Sequence, residues 1–275
     1  MGIPKYRQWL RERFPQAFTK RPTLAADHVY VDCNSIMHEV GRQVSSEREF
    51  MERLCSRLDQ LFRLIRPSLS VCLAVDGPAC WAKAAEQRKR RASNHKKTSS
   101  SSGGGSGAGG DGRGRSSRRS SSFSRNVLTP GCPFMELLTS GLENWCAERM
   151  REGWCLAGCR TAVVSGARAV GEGEHKMLSQ MLVNGSRAVS EAAAVGAFDA
   201  KSSAPADPCS HVFVSGDADL FLLSLVQGLA RRVVVVNEVS YAYGDRETAL
   251  TVWSTEALGD AITNEFSSGA YLTVV

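Results

Sequence analysis

Six acidic residues lie at the end of a short apolar run of the sequence or in the loop that follows one. They are Asp32, Asp76, Glu172, Glu174, Asp217 and Asp219. Because open α/β sheets bind ligands beyond the carboxyl ends of their strands, we expect these carboxylates to converge at one edge. Clustered carboxylates repel one another unless cations neutralise them. Their oxygen ligands favour Mg²⁺ or Mn²⁺, and six of them can hold two ions for in-line displacement at a phosphodiester.

Each of these residues taken alone has a simpler interpretation, because an Asp at a strand end is commonly a helix N-cap. Six together favour the metal site. Within the pairs Glu172/Glu174 and Asp217/Asp219, a spacing of two lets both carboxylates face the same way if the chain is extended. Flanking glycines at 171, 173 and 216 permit close backbone turns.

A basic segment follows Asp76. Lys83, Gln87, Arg90 and Arg91 are spaced i, i+4, i+7 and i+8, so on a helix they share an arc of about 100°. Cationic side chains on one stripe beside a metal site can hold a terminal phosphate. The alternative is a solvated basic helix, or a nuclear localisation sequence at residues 88–91.

The apolar pattern predicts the elements that position these groups. Near-continuous apolar runs of strand length cover residues 28–31, 71–75, 162–164, 212–214 and 233–236. Two sets of apolar residues have helical spacing and predict amphipathic helices. They are Phe50, Met51, Leu54, Leu58, Leu61, Phe62 and Ile65, and Phe134, Leu137, Leu138, Leu142 and Trp145. Alternating strands and helices with right-handed crossovers predict an α/β fold, a parallel sheet with helices on both faces.

Two segments are predicted to lie outside this framework. Residues 98–122 contain ten Ser, eight Gly and four Arg, with Ala108 as the one apolar side chain, which predicts a disordered insertion. Residues 184–208 are rich in Ala and Ser and include two prolines, which predicts a flexible loop.

Charge and composition limit the function classes. Residues 83–125 carry twelve Lys and Arg against two acidic residues, whereas the rest of the chain is mildly acidic, a distribution that suits nucleic acid. The longest uncharged apolar stretch, residues 220–230, is too short for a bilayer span of about 20 residues. Nine cysteines, an odd number, favour a reducing compartment over a disulfide framework.

Several motifs follow one another along most of the chain. They are residues 1–5 (MGIPK), 31–34 (VDCN) with His38, 76–77 (DG) with the basic stripe, 129–131 (TPG), 171–176 (GEGEHK) and 217–220 (DADL). Their order resembles the N-terminal nuclease domain of the Xrn-type 5′→3′ exoribonucleases. The resemblance implies a fold like that of PIN domains and flap nucleases over residues 1–275, and processive removal of nucleotides from RNA with a 5′ monophosphate.

The resemblance also implies roles for individual residues. The six carboxylates would be metal ligands, and Lys83, Gln87, Arg90 and Arg91 would form the 5′-phosphate pocket. His38 would stack on or contact the terminal nucleotide, and Asn34 would support the site.

The expected function is therefore a metal-dependent 5′→3′ exoribonuclease acting on single-stranded RNA in the nucleus, the cytoplasm or both, without a membrane partner. This interpretation includes a truncated form, because a further Asp-containing segment usual in the family has no counterpart here. The alternative is a weakly active or inactive RNA-binding or assembly module. A further alternative is a structure-specific flap-type endonuclease.

Overall fold

The computed structural model describes residues 5–78, 123–153, 156, 158–194, 209–217, 219–226, 233–240 and 248–267. The predicted phosphate-binding residues Lys83, Gln87, Arg90 and Arg91, the predicted insertion 98–122 and residues 195–208 of the predicted loop lie outside these ranges. Within the ranges, no helix is long and apolar enough to span a bilayer.

Seven strands of the described residues form one sheet. They are β1 (Phe18–Arg21), β2 (Leu24–Asp32), β3 (Ile65–Ala74), β4 (Thr161–Ser165), β5 (His211–Val214), β6 (Val233–Ser240) and β7 (Ala249–Ser254). Their order is β1-β7-β6-β5-β2-β3-β4. The five strands from β6 to β4 are parallel, and β7 and β1 add antiparallel pairs at one side. All five predicted strands belong to the parallel part, which confirms the predicted α/β sheet.

Helices cover both faces of this sheet. They are α1 (Tyr6–Arg13), α2 (Cys33–Val40), α3 (Glu47–Leu64), α4 (Pro133–Arg151), α5 (Gly173–Ala194), α6 (Asp219–Val226) and α7 (Thr255–Ser267). Val29 and Val31 of β2 belong to a core cluster with α2, α3 and α4, whereas Tyr30 between them belongs to a second cluster with α1, α5, α6 and α7. Both sides of the strand are buried, which explains its continuous apolar run.

The two predicted helical stripes form α3 and α4, with two corrections. Ile65, the last residue of the first stripe, has an extended backbone and is the first residue of β3, because α3 ends at Leu64. The α3 N-cap Ser46 accepts a hydrogen bond from the Glu49 N–H at 3.2 Å, and the helix buries Phe50, Leu54, Leu58, Leu61 and Phe62. In α4, Phe134, Leu138, Leu142 and Trp145 are buried, but Leu137 is 64% exposed. At 100° per residue, position 137 lies to the side of the stripe that its neighbours form.

The prediction of a loop over residues 184–208 is wrong for residues 184–194, which are the second half of α5. Asn184, a turn-favouring residue by type, is buried against the sheet. Its Nδ2 donates to Tyr30 Oη at 2.9 Å and to Ser70 Oγ at 3.3 Å. These tertiary hydrogen bonds outweigh the weak helix propensity of the Asn-Gly-Ser sequence.

Because Asn184 ties the helix to β2 and β3, its loss should weaken the whole domain. We expect Asn184→Ala to lower the free energy of unfolding by about 1–3 kcal/mol, since buried hydroxyls lose a hydrogen-bond donor. Urea unfolding measures this change. Asn264→Ala, at an exposed position of α7, is the matched control and should change stability by less than about 0.5 kcal/mol. Equal effects of the two substitutions would contradict the prediction.

Candidate active site

The carboxyl ends of the parallel strands bring the predicted acidic residues to one edge. Asp32 is the last residue of β2, Asp76 lies two residues after β3 and Asp217 lies three residues after β5. Because β5, β2 and β3 are neighbours in the sheet, these three residues leave it side by side. Glu172 and Glu174 lie at the start of α5, which follows β4, the strand next to β3.

Asp32 is at the centre of this edge. Its Oδ1 accepts the Asn34 N–H at 2.9 Å, and its Oδ2 accepts the Ser215 hydroxyl at 2.9 Å. Burial, together with the nearby Asp76 and Asp217 carboxylates, outweighs these hydrogen bonds and raises the pKa of Asp32 to about 6. The three carboxylates are therefore close enough to repel one another.

Asp76 is fixed by two contacts with the first residues of neighbouring helices. Its backbone N–H donates to Asn34 Oδ1 at 3.2 Å, and its Oδ1 accepts the N–H of Gly173 at 2.7 Å. Gly173 begins α5, where backbone N–H groups lack partners within the helix. A Cβ at this glycine would lie 3.2 Å from Asp32 Oδ1 and 3.6 Å from Asp76 Oδ1. The helix N-terminus thus lies directly against both carboxylates.

Asp217 and Asp219 lie at the start of α6. The Asp217 N–H donates to Ser215 Oγ at 3.1 Å, and Asp217 Oδ1 accepts the Asp219 N–H at 3.0 Å. Burial and the Asp219 carboxylate raise the pKa of the Tyr6 hydroxyl in α1. Asp219 therefore lies near α1, and the Ser215 hydroxyl links Asp217 to Asp32.

Glu172 and Glu174 come together with a residue that was not among the predicted ligands. One ligand atom each from Glu172, Glu174 and His175 lies within 4.8 Å of the others. Both acidic pairs border a helix start, so the extended-chain argument for their spacing does not apply to this fold. Glu172 precedes the first residue of α5 and Glu174 is the second residue of that helix, so the two lie on either side of the point where the chain enters the helix.

The donors at this edge fit divalent cations. They are oxygen-rich, as Mg²⁺ and Mn²⁺ prefer. Burial is the main cause of the raised pKa of Asp32, and repulsion by the Asp76 and Asp217 carboxylates adds to it. A bound cation would relieve that repulsion.

His38 lies in the last turn of α2, in a mainly cationic surrounding. Partial burial and the Arg125 and Arg42 guanidinium groups lower the pKa of its imidazole, while the Asp76 carboxylate opposes them. His38 is thus within electrostatic reach of Asp76 and of two cationic side chains. This surrounding suits a phosphate-bearing ligand.

Gly77 joins the end of β3 to the loop that precedes α5. Its N–H donates to the Gly171 carbonyl at 2.9 Å, and the Gly171 N–H donates to the Pro78 carbonyl at 3.3 Å. A Cβ on Gly77 would lie 1.7 Å from the carbonyl oxygen of Ala169. The close approach of two backbones here requires glycine.

We expect Gly77→Ala to lower the free energy of unfolding by about 1–3 kcal/mol or more, because backbone must move to admit the methyl group. Urea unfolding measures the loss. Gly259→Ala is the control: a Cβ there meets nothing within 4 Å, and in α7 the substitution should stabilise by up to about 1 kcal/mol. A Gly77→Ala variant as stable as the wild type would show that the loop yields at no cost.

Comparison with known proteins decides the family of this fold. Residues 1–238 match the family model described as XRN 5′-3′ exonuclease N-terminus. The chain belongs to this family. A 5′-3′ exoribonuclease 2 of Gibberella zeae is 33% identical over 266 residues, covering 82% of this chain and 25% of that protein. The 5′-3′ exoribonuclease 1 of Homo sapiens is 26% identical over 253 residues, covering 88% of this chain and 14% of that protein.

This XRN chain spans about a quarter or less of these two relatives. The family assignment confirms the resemblance that the motifs indicated. The described residues of the XRN domain have the mixed α/β architecture with a mainly parallel sheet.

Besides His175, two residues with contacts at this edge were not among the predicted site residues. Ser215 bridges Asp32 and Asp217, and Lys176 donates from its Nζ to the carbonyls of Val75 and Gly166. Ser215 lies two residues before Asp217, and Lys176 is the last residue of GEGEHK. The sequence features that could have identified them are a Ser just after a buried strand and a Lys within an acidic motif.

Proposed function

We propose that this chain is the nuclease part of an exoribonuclease that removes nucleotides from the 5′ end of single-stranded RNA bearing a 5′ monophosphate. The observation that carries the proposal is the convergence of Asp76 and Asp217 on Asp32, with the N-terminus of α5 against Asp32 and Asp76. A carboxylate cluster of this kind, in a chain of this family, supports phosphodiester hydrolysis with divalent cations.

The proposed cation ligands are the six carboxylates at this edge. They are Asp32, Asp76, Glu172, Glu174, Asp217 and Asp219. Two bound Mg²⁺ or Mn²⁺ ions would lower the pKa of an attacking water and stabilise the charge that develops on the phosphodiester.

The chain's own hydrogen bonds orient these ligands. Asn34 and Ser215 hold the two oxygens of Asp32, so its carboxylate has a fixed orientation. The Gly173 N–H holds Asp76 Oδ1 and leaves Oδ2 for a cation. Fixed ligands lower the reorganisation needed when substrate binds.

The RNA side of the proposal rests on the cationic residues. His38, near Arg42 and Arg125, would contact the terminal nucleotide, and the guanidinium groups would attract its phosphates. Lys83, Gln87, Arg90 and Arg91 would bind the 5′ phosphate itself.

The test follows RNA products over time. The purified chain is incubated with single-stranded 5′-monophosphorylated RNA labelled along its length, with Mg²⁺, with Mn²⁺ or with a chelator. We expect mononucleotides that require the cation. Internal cuts at structural junctions would support a flap-type endonuclease instead, and tight RNA binding without cation-dependent products would support a non-catalytic module.

A further inference from the structure

Lys176 lies buried beside the acidic edge, which is the edge of the sheet that carries Asp32, Asp76 and Asp217. The proposed mechanism gives this lysine no role. Only 9% of the residue is exposed. Its Nζ donates to the Val75 carbonyl at 2.7 Å and to the Gly166 carbonyl at 2.9 Å. Val75 and Gly166 each lie one residue beyond the end of a strand, β3 and β4 respectively. One ammonium group therefore joins two neighbouring strand ends.

The contacts of Lys176 concentrate on the backbone around Asp76. One of the two carbonyls that Lys176 binds is that of Val75, the residue before Asp76. A Cβ on Gly77, the residue after Asp76, would lie 3.2 Å from the Lys176 Nζ. The same turn of α5 reaches the Asp76 side chain, because Gly173 donates to Asp76 Oδ1. The start of α5 thus holds the carboxylate from one side and its backbone from another.

The sheet does not need the lysine to pair these strands. The Val75 N–H already donates to the Ser165 carbonyl at 3.0 Å, which continues the β3–β4 ladder to its end. Burying an ammonium group is costly unless hydrogen bonds compensate for its lost hydration. An apolar side chain would fill this space without that cost, so the two hydrogen bonds to strand ends are the feature that calls for a lysine.

We propose that Lys176 is a positioning residue for Asp76, holding the Val75 carbonyl so that the Asp76 carboxylate points to the divalent-cation site. The inference rests on the proposed function, because it takes Asp76 as a cation ligand.

Two opposite effects on cation binding make the role measurable. A positive charge near a cation site repels the cation, so a lysine acting through its charge alone weakens binding, and its removal strengthens binding. A lysine that positions a ligand improves binding, and its removal weakens it. A lysine that only stabilises the fold leaves the affinity unchanged.

The experiment measures Mn²⁺ binding to the full chain by electron paramagnetic resonance of the free ion, with thermal unfolding recorded in parallel. We expect Lys176→Met to weaken Mn²⁺ binding by about 10- to 100-fold, as for other residues that orient metal ligands. Lys176→Arg, which keeps a charged donor, should recover part of the affinity. Lys20→Met, at an exposed position of β1, is the control and should bind like the wild type.

Unchanged or stronger Mn²⁺ binding by Lys176→Met overturns the inference but leaves the proposed function intact. A wild-type chain that binds no Mn²⁺ overturns the proposed function, and this inference with it. If Lys176→Met shows no cooperative unfolding, Lys176→Gln, which retains an N–H donor, is judged by the same affinity criterion. Loss of folding in both variants would assign the lysine to the stability of the domain and would also overturn the inference.

Discussion

Asp217→Asn is expected to slow cation-dependent RNA degradation by at least about 1,000-fold. Charge stabilisation by a catalytic cation contributes several kcal/mol, and each 1.36 kcal/mol is a factor of ten in rate. The substitution removes the charge but keeps an oxygen that can accept the Asp219 N–H, as Asp217 Oδ1 does at 3.0 Å. Because Asp217 is exposed, we expect the thermal unfolding temperature to stay close to that of the wild type.

Rates are measured on the same labelled RNA at saturating Mg²⁺, with purification of all variants in parallel. Asp260→Asn provides the control, since Asp260 is an exposed residue of α7, outside the acidic edge. It should degrade RNA at the wild-type rate. A wild-type rate for Asp217→Asn, in a preparation shown to be free of contaminating nuclease, would contradict the place of this residue in the site.

The parallel part of the sheet could be predicted because its strands are buried on both faces and read as continuous apolar runs. The antiparallel strands gave weaker signals. β1 is an edge strand whose last three residues, Thr19, Lys20 and Arg21, are exposed, so no apolar pattern marks it. β7 pairs with β6, the preceding strand, and with β1, which lies near the other end of the sequence.

The second half of α5 shows how tertiary contacts override local preference. Its Asn-Gly-Ser sequence is typical of a turn, yet Asn184 is buried in a helix because its amide reaches Tyr30 and Ser70. Neither partner is near Asn184 in sequence. A local sequence pattern therefore could not have predicted the contacts that stabilise this part of the helix.

The sequence was enough to predict that the acidic residues lie at one edge of the sheet, but not which groups orient them. The strand-end rule placed Asp32, Asp76 and Asp217 together, since it depends only on strand direction. The groups that orient them are a hydroxyl on Ser215 and a backbone N–H on Gly173. A backbone donor is present at nearly every residue, so its use at one position becomes visible only in the folded structure.

RNA with a 5′ monophosphate is expected to be degraded faster than the same RNA with a 5′ hydroxyl, by about 10- to 150-fold for each strong phosphate contact. Charge-assisted hydrogen bonds contribute about 1.5–3 kcal/mol each, which sets this range. The contacts would come from Lys83, Gln87, Arg90 and Arg91, which share one face if their segment is helical. Pro78, which precedes these residues in the sequence, accepts a hydrogen bond from the Gly171 N–H at 3.3 Å, close to Glu172 in the chain.

Arg90→Ala and Arg91→Ala should each reduce the preference for the monophosphate while leaving slow degradation of the 5′-hydroxyl RNA unchanged. Arg66→Ala is the control, because Arg66 is exposed near the amino end of β3, at the opposite edge of the sheet, and should keep the full preference. A triphosphate should be degraded more slowly than the monophosphate, because a pocket built for one phosphate excludes a longer end. Equal rates on all three RNA ends in the wild type would contradict the proposed 5′-phosphate pocket. The proposed role of the carboxylates would stand, because they act on the phosphodiester, whereas Lys83, Gln87, Arg90 and Arg91 act on the 5′ end of the RNA.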